Sequence, residues 1–149
     1  MQKAEDVKTA LALKFLLVLW IFAVLILTLN YRSPALLRIN NSVFRLDTSY
    51  TSTEMSKGLS GVQSMPNDQG MLFVFSGPLK ACFWMKQMKF NLDIIWLNNR
   101  KEVVYIEKNL SPSSYPKTYC PNNNSIYVLE MNSGFVDSQQ VFIGEKLNF

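Results

Sequence analysis

The sequence predicts an all-β fold, mainly antiparallel: a compact barrel-like domain with one short helix, preceded by a transmembrane helix. Three observations predict it. Short segments rich in Val, Ile, Leu, Phe, Trp and Tyr recur through residues 71–144, divided by Gly, Pro, Asn and Ser, the rhythm of short strands and turns. Thr51 and Glu54 have capping-box spacing and Gly58 follows, which marks the start and stop of one helix. An uncharged run, "FLLVLWIFAVLILTL", occupies residues 15–29.

Residues 1–8 are read as a tail and residues 9–29 as a membrane-spanning helix. Only Lys14 interrupts that stretch. Crossing the hydrocarbon takes roughly 20 apolar residues, and a lysine near one end snorkels to the interface. A cleaved signal peptide is the rival, since the start is basic and the centre apolar. "SPA" at 33–35 is a poor cleavage site, so an uncleaved anchor is expected. Lys3, Lys8 and Lys14 stand against Arg32, Arg38 and Arg45, and this balance gives no orientation. The short tail and signal-like order place the tail inside and the domain outside, a single-pass protein of the cell membrane.

The chain of 149 residues has a net charge of +4. Five basic and two acidic residues lie in the first 39, leaving 15 − 5 = 10 basic and 11 − 2 = 9 acidic beyond them, a net of +1. The basic excess sits beside the expected membrane segment. The domain carries no basic stripe, so nucleic acid is not expected as a partner.

Residues 30–42 read as a tether, and the all-β domain as 43–149. "VFRLD" (43–47) is the first expected strand, and the capped helix follows it. "MLFVF" (71–75) is a continuous apolar strand that "SGP" breaks. "ACFWMK" (81–86) and "LDIIWL" (92–97) come next; "NNRK" turns, and "EVVYIE" (102–107) returns as a hairpin partner. Residues 109–124, with three prolines, read as a long loop. "SIYVLEM" (125–131) is a strand and "QVFIG" (140–144) the last. Asn40, Asn109 and Asn123 begin N-x-Ser sequons, read as ordinary loop asparagines.

Chemistry is restricted by what the chain lacks. There is no histidine, which removes His-based triads, metal sites and proton shuttles. Neither a Gly-rich phosphate loop nor metal-type Cys spacing occurs, so no cofactor or metal is expected. Cys82 and Cys120 admit two readings: a disulfide in an oxidising compartment, or two separate buried thiols.

Two carboxylates stand out. Asp93 interrupts the apolar run "FNLDIIWL", and Glu130 shares its strand face with Ile126 and Val128. A buried carboxylate must be neutralised, paired or hydrogen-bonded. The plain reading is that each lies near a strand end, tied to loop N–H groups or to Lys86 or Lys89. The functional reading has Asp93 and Glu130 converging as catalytic candidates, one pKa raised by the other. Trp84 and Lys86 share a face of "FWMK" and form a second candidate surface, an aromatic platform beside a cation.

"GLS", "GMLFVF", "FWMK", "LDIIWL", "VVYIEKNLSP", "YVLEMNSG" and "IGEKL" occur in this order. The ordered set resembles domain-of-unknown-function family 192, across about residues 43–147. The resemblance implies a compact β-barrel-like domain with a short helix, often behind a signal peptide or anchor, and no assigned enzymatic activity. It carries Gly58, Gly70, Met71, Phe83, Trp84, Met85, Lys86, Asp93, Glu130 and Gly134 as motif positions. Two positions depart from it. Asn91 stands where the family usually has proline, which is expected to loosen the loop presenting Asp93. Ser60 replaces a methionine.

The function expected from these readings is a membrane-anchored, extracytoplasmic binding or interaction module. Its ligand-binding residues would be Trp84, Lys86, Asp93 and Glu130, and its partner an envelope glycan or protein. The alternative is a carboxylate-dependent enzyme acting on an envelope glycan through Asp93 and Glu130. A third reading is structural, with both acids tying loops.

Overall fold

The computed structural model describes residues 2–30 and 33–149, with side chains along the N-terminal helix described at 11, 13–26 and 28. The chain divides into two compact units, Met1–Ser33 and Pro34–Phe149. The first is helix α1, Gln2–Asn30. Part of the span expected over 9–29 lies outside the described side chains, which run unbroken only over 13–26. Among the described residues no helix is long and apolar enough to cross a membrane. The large apolar side chains described there, such as Phe15, Trp20 and Ile26, are exposed.

The second unit begins with strand β1, Ala35–Ile39, inside the stretch expected to be a tether. β1 alternates exposed Leu36 and Arg38 with buried Leu37 and Ile39. That is a half-buried strand, too short to stand out beside the apolar run before it. It forms a hairpin with β2, Ser42–Ser49, through Asn40 at positive φ. Helix α2, Ser52–Lys57, carries the expected capping box, with Thr51 Oγ1 accepting from Glu54 N and Glu54 Oε2 accepting from Thr51 N. Strand β3, Gln69–Leu79, then pairs parallel with β2. A parallel neighbour requires a crossover, and α2 is that crossover. The helix therefore lies over one face of the sheet.

The expected break at "SGP" is instead an irregularity within β3, where register with its neighbour shifts between Val74 and Leu79. The remaining elements are β4 (Phe83–Trp84), β5 (Leu92–Leu97), β6 (Val103–Leu110), a 3-10 turn (Pro112–Ser114), β7 (Thr118–Tyr119), β8 (Ser125–Asn132) and α3 (Phe135–Ser138). β5 and β6 form the expected hairpin across "NNRK". The "ACFWMK" strand shrinks to two residues, and the long loop supplies its partner β7. "QVFIG" is not a strand. Val141 is buried, whereas Phe142 and Ile143 are exposed in a turn, so its apolar residues serve one packing contact and not a ladder.

The main sheet has six strands in the order β1-β2-β3-β8-β5-β6. This corrects the barrel: the sheet is open, with β1 and β6 at its edges. Single bridges, Arg38 to Asn148 and Glu102 to Lys146, tie the C-terminal segment to both edge strands. Two apolar cores follow from the alternation of side chains. One, on the α3 and C-terminal side, contains Leu37, Leu46, Ile95, Leu129 and Phe135. The other contains Phe73, Met85, Ile94, Trp96 and Val128, with Met55 and Leu59 from the α2 region packed against it. β4 and β7 contribute Phe83 and Tyr119 to this second core. The bonded pair Cys82–Cys120 fixes them together, which decides between the two readings of the cysteines.

Candidate functional site

Register places the two carboxylates on opposite faces. Asp93 pairs across the sheet with Met131, and Glu130 pairs with Ile94 on one side and Met71 on the other. Directly paired residues share a face. Met131 belongs to the α3-side core, whereas Ile94 and Met71 belong to the α2-side core. Asp93 and Glu130 therefore do not converge. The expectation of a carboxylate pair acting on one substrate is corrected here: each is one residue out of phase with the other across adjacent strands.

Asp93 is buried, at 1% exposure, and its carboxylate is fully engaged. Oδ1 accepts from Asn109 N at 2.9 Å; Oδ2 accepts from Gly134 N at 3.1 Å and Val136 N at 2.9 Å. The last two N–H groups lie at the start of α3, where helix geometry leaves donors without intrahelical partners. Asp93 thus binds the end of β6 and the start of α3 to the sheet. The ties are backbone N–H groups, not Lys86 or Lys89. Asn91 does not loosen this corner. Its Nδ2 donates to Asn109 Oδ1 at 2.8 Å, its carbonyl accepts from Ser133 N at 3.2 Å, and Ser133 Oγ reaches the same Asn109 Oδ1 at 3.0 Å.

Glu130 has a different environment. It is 5% exposed in the central strand β8, and its Oε2 has no hydrogen-bond partner. Burial alone pushes its carboxyl up from 4.5 to about 8, because the charged form is the one that loses hydration. It lies at a cavity of about 310 Å³ between the α2 region, β3 and the β4 segment. Phe73, Phe75, Phe83, Trp84 and Met88 give the cavity aromatic and thioether walls. Phe83 stacks edge-on against Phe73 at 4.9 Å and against Trp96 at 5.8 Å, which holds that wall in place.

Gly58 makes the approach of α2 to this carboxyl feasible. Its φ of 46° is paired with ψ of −131°, a combination that residues with a Cβ avoid. A Cβ there would stand 3.3 Å from Phe73 Cζ and 3.7 Å from Glu130 Oε2. The helix end thus closes over Phe73 and Glu130 because no side chain intervenes. Gly70 permits a close contact on the opposite face, where a Cβ on it would collide with Met131 Sδ.

Of the four expected site residues, the cavity brings together Trp84 and Glu130. Trp84 is 47% exposed at its rim. Lys86 and Asp93 are not among the lining residues. Lys86 is exposed, past the end of the two-residue β4; its carbonyl accepts from Ser60 Oγ at 2.9 Å. Sequence reasoning missed Phe73 and Phe75 as cavity walls. Their spacing of two from Met71 was the available signal, but it becomes useful only once Met71 is paired with Glu130. Among the described residues no cluster of His, Cys, Asp or Glu is suited to hold a metal.

With this geometry established, comparison with known proteins places the chain. Residues 35–149 match the family model DUF192, described as an uncharacterized ACR, and the chain belongs to that family. No curated protein matches it. Among solved structures, a protein of unknown function from Novosphingobium aromaticivorans is 28% identical, with a TM-score of 0.71 over 78% of this chain and 84% of that one. A second, from Sinorhizobium meliloti, is 25% identical, with a TM-score of 0.71 over 80% of this chain and 97% of that one. It carries a provisional description as a transcription regulator.

Proposed function

We propose that the protein is a membrane-anchored, extracytoplasmic binding module whose ligand enters the Glu130 cavity. The observation that carries this reading is Glu130, buried with its Oε2 unpartnered, on the wall of a largely apolar cavity whose lysines, Lys57 and Lys80, are exposed. A buried polar atom without a partner costs about 1–3 kcal/mol, and a ligand that supplies the partner recovers it. Mainly apolar walls with a few polar groups are the usual make-up of a small-molecule site. At about 310 Å³ the cavity suits a small ligand or one protruding group of a larger envelope molecule. The uncharged run at 15–29 and the Cys82–Cys120 bridge support anchoring and an oxidising compartment.

The binding test uses the full chain in lipid nanodiscs and a set of small apolar compounds with one polar group, followed by Trp fluorescence. Leu79→Trp, at the rim, is expected to weaken every binder roughly tenfold or more by filling the mouth, and Trp84→Ala to weaken them by removing a wall. Compounds that bind with no sensitivity to either change, or an absence of binders, would overturn the reading. Anchoring and orientation are tested by protease treatment of intact spheroplasts. Digestion of the domain from outside is the expected result; a protected domain faces the cytosol, and the extracytoplasmic reading then fails.

A further inference from the structure

Four features of the cavity bear on the charge of its ligand. Among the described residues Glu130 is the one carboxylate lining it, and its Oε2 lacks a donor. Phe73, Phe75, Phe83 and Trp84 surround the space with aromatic surface, and ring faces attract cations. Met55 to Gly58, the C-terminal turn of α2, form another part of the wall. That end of a helix carries partial negative charge. Lys57 and Lys80 also border the cavity and oppose a cation. Both are exposed, so water and salt screen them; Glu130 has no such screening.

An anionic group would find one donor, the proton that Glu130 holds while neutral, and would be opposed by the helix end and the ring faces. A neutral group would satisfy one hydrogen bond and gain nothing from the aromatic walls beyond contact. An ammonium gains from the carboxylate, the helix end and the rings together. We infer that the cavity takes a primary amine on a small apolar body, the ammonium set against Glu130 and the hydrocarbon between the aromatic walls. This rests on the binding-module reading and specifies its ligand class. The proton balance is definite. The amine arrives as an ammonium, Glu130 gives its proton to solvent, and an ion pair remains, so one proton is released per ligand bound.

Calorimetry on the full chain in nanodiscs tests this with 2-phenylethylamine, 2-phenylethanol and phenylacetate at pH 6, in buffers of different ionisation enthalpy. The amine is expected to bind roughly tenfold or more tighter than the alcohol, with close to one proton released. Glu130→Gln is expected to abolish both the preference and the proton release, with thermal unfolding confirming that the variant folds. If the alcohol or the acid binds as tightly, or amine binding releases no proton, the inference is overturned and the binding reading stands. If none of the three binds, the inference is likewise overturned. The binding reading is then decided separately, by the wider compound set and Leu79→Trp.

Discussion

Asp93 and Glu130 show two fates of a carboxylate in an apolar strand. Asp93 is stabilised by three backbone N–H groups, and hydrogen bonds to charged groups each contribute about 1.5–3 kcal/mol. Asp93→Asn keeps the shape but sets an amide against donors. It is expected to lower the free energy of unfolding by about 2–3 kcal/mol, read by urea titration, with no change in affinity at the cavity on the other face. An affinity loss without a stability loss would give Asp93 the binding role denied to it here. Glu130 behaves oppositely. Its folded-state value of about 8 lies above the ordinary 4.5, so between those values the native state holds a proton that the unfolded chain has released. The contribution of Glu130 to stability is therefore fully present below about pH 4.5 and is lost as pH rises toward 8, by on the order of 3 kcal/mol at pH 7. Glu130→Gln should flatten that pH dependence; an unchanged slope would mean that the group is charged in the native state. Both carboxylates were conspicuous in the sequence, because each breaks an apolar run. Their separation was not, because a strand shows which of its own residues share a face and says nothing about phase relative to its neighbour.

The elements that depend on local chemistry were the legible ones. The capping box of α2 is written in Thr51, Glu54 and Gly58, and the β5–β6 hairpin in alternating apolar segments around "NNRK". Thr51→Ala is expected to cost about 1 kcal/mol. Gly58→Ala should cost about 1–3 kcal/mol through backbone strain, and it should also weaken cavity binding. A loss of stability with unchanged binding would detach α2 from the site. Elements held only by distant partners were not legible. β4 and β7 are two residues each, too short to show a pattern, and a bond between residues 38 positions apart joins their flanks. Cross-linking a loop of that length stabilises by up to about 4 kcal/mol in the chain-entropy picture. The double change Cys82→Ser, Cys120→Ser should lower the thermal midpoint and speed hydrogen exchange in β4 and β7 ahead of β8. Uniform exchange would show that the bridge stabilises the whole fold equally.

Across the whole domain, composition and strand rhythm identified a β-rich fold, and they suggested closure that does not occur. The parallel pairing of β2 with β3 was hidden because α2 reads as one isolated helix and nothing in its sequence says where the chain returns. β8, second to last among the elements, enters the centre of the sheet between β3 and β5, a placement that only long-range contacts specify. The C-terminal segment completes the arrangement. Leu147 is buried at 1% exposure, its N–H donates to the Lys101 carbonyl at 3.0 Å, and Arg38 N donates to the Asn148 carbonyl at 2.9 Å. The Phe149 ring rests beside Tyr127 and under the Lys101 ammonium. Deletion of residues 146–149 should therefore destabilise the domain by about 2–5 kcal/mol, most of it from Leu147. A truncated chain with an unchanged denaturation midpoint would contradict this. On the ribosome, the same arrangement sets a sequence of events. Strand β1 emerges early, its flank waits for Asn148, and the sheet lacks its central strand until β8 appears. The sheet is thus completed late in synthesis, and the contacts of residues 146–149 with its two edges are added after β8 has taken its place.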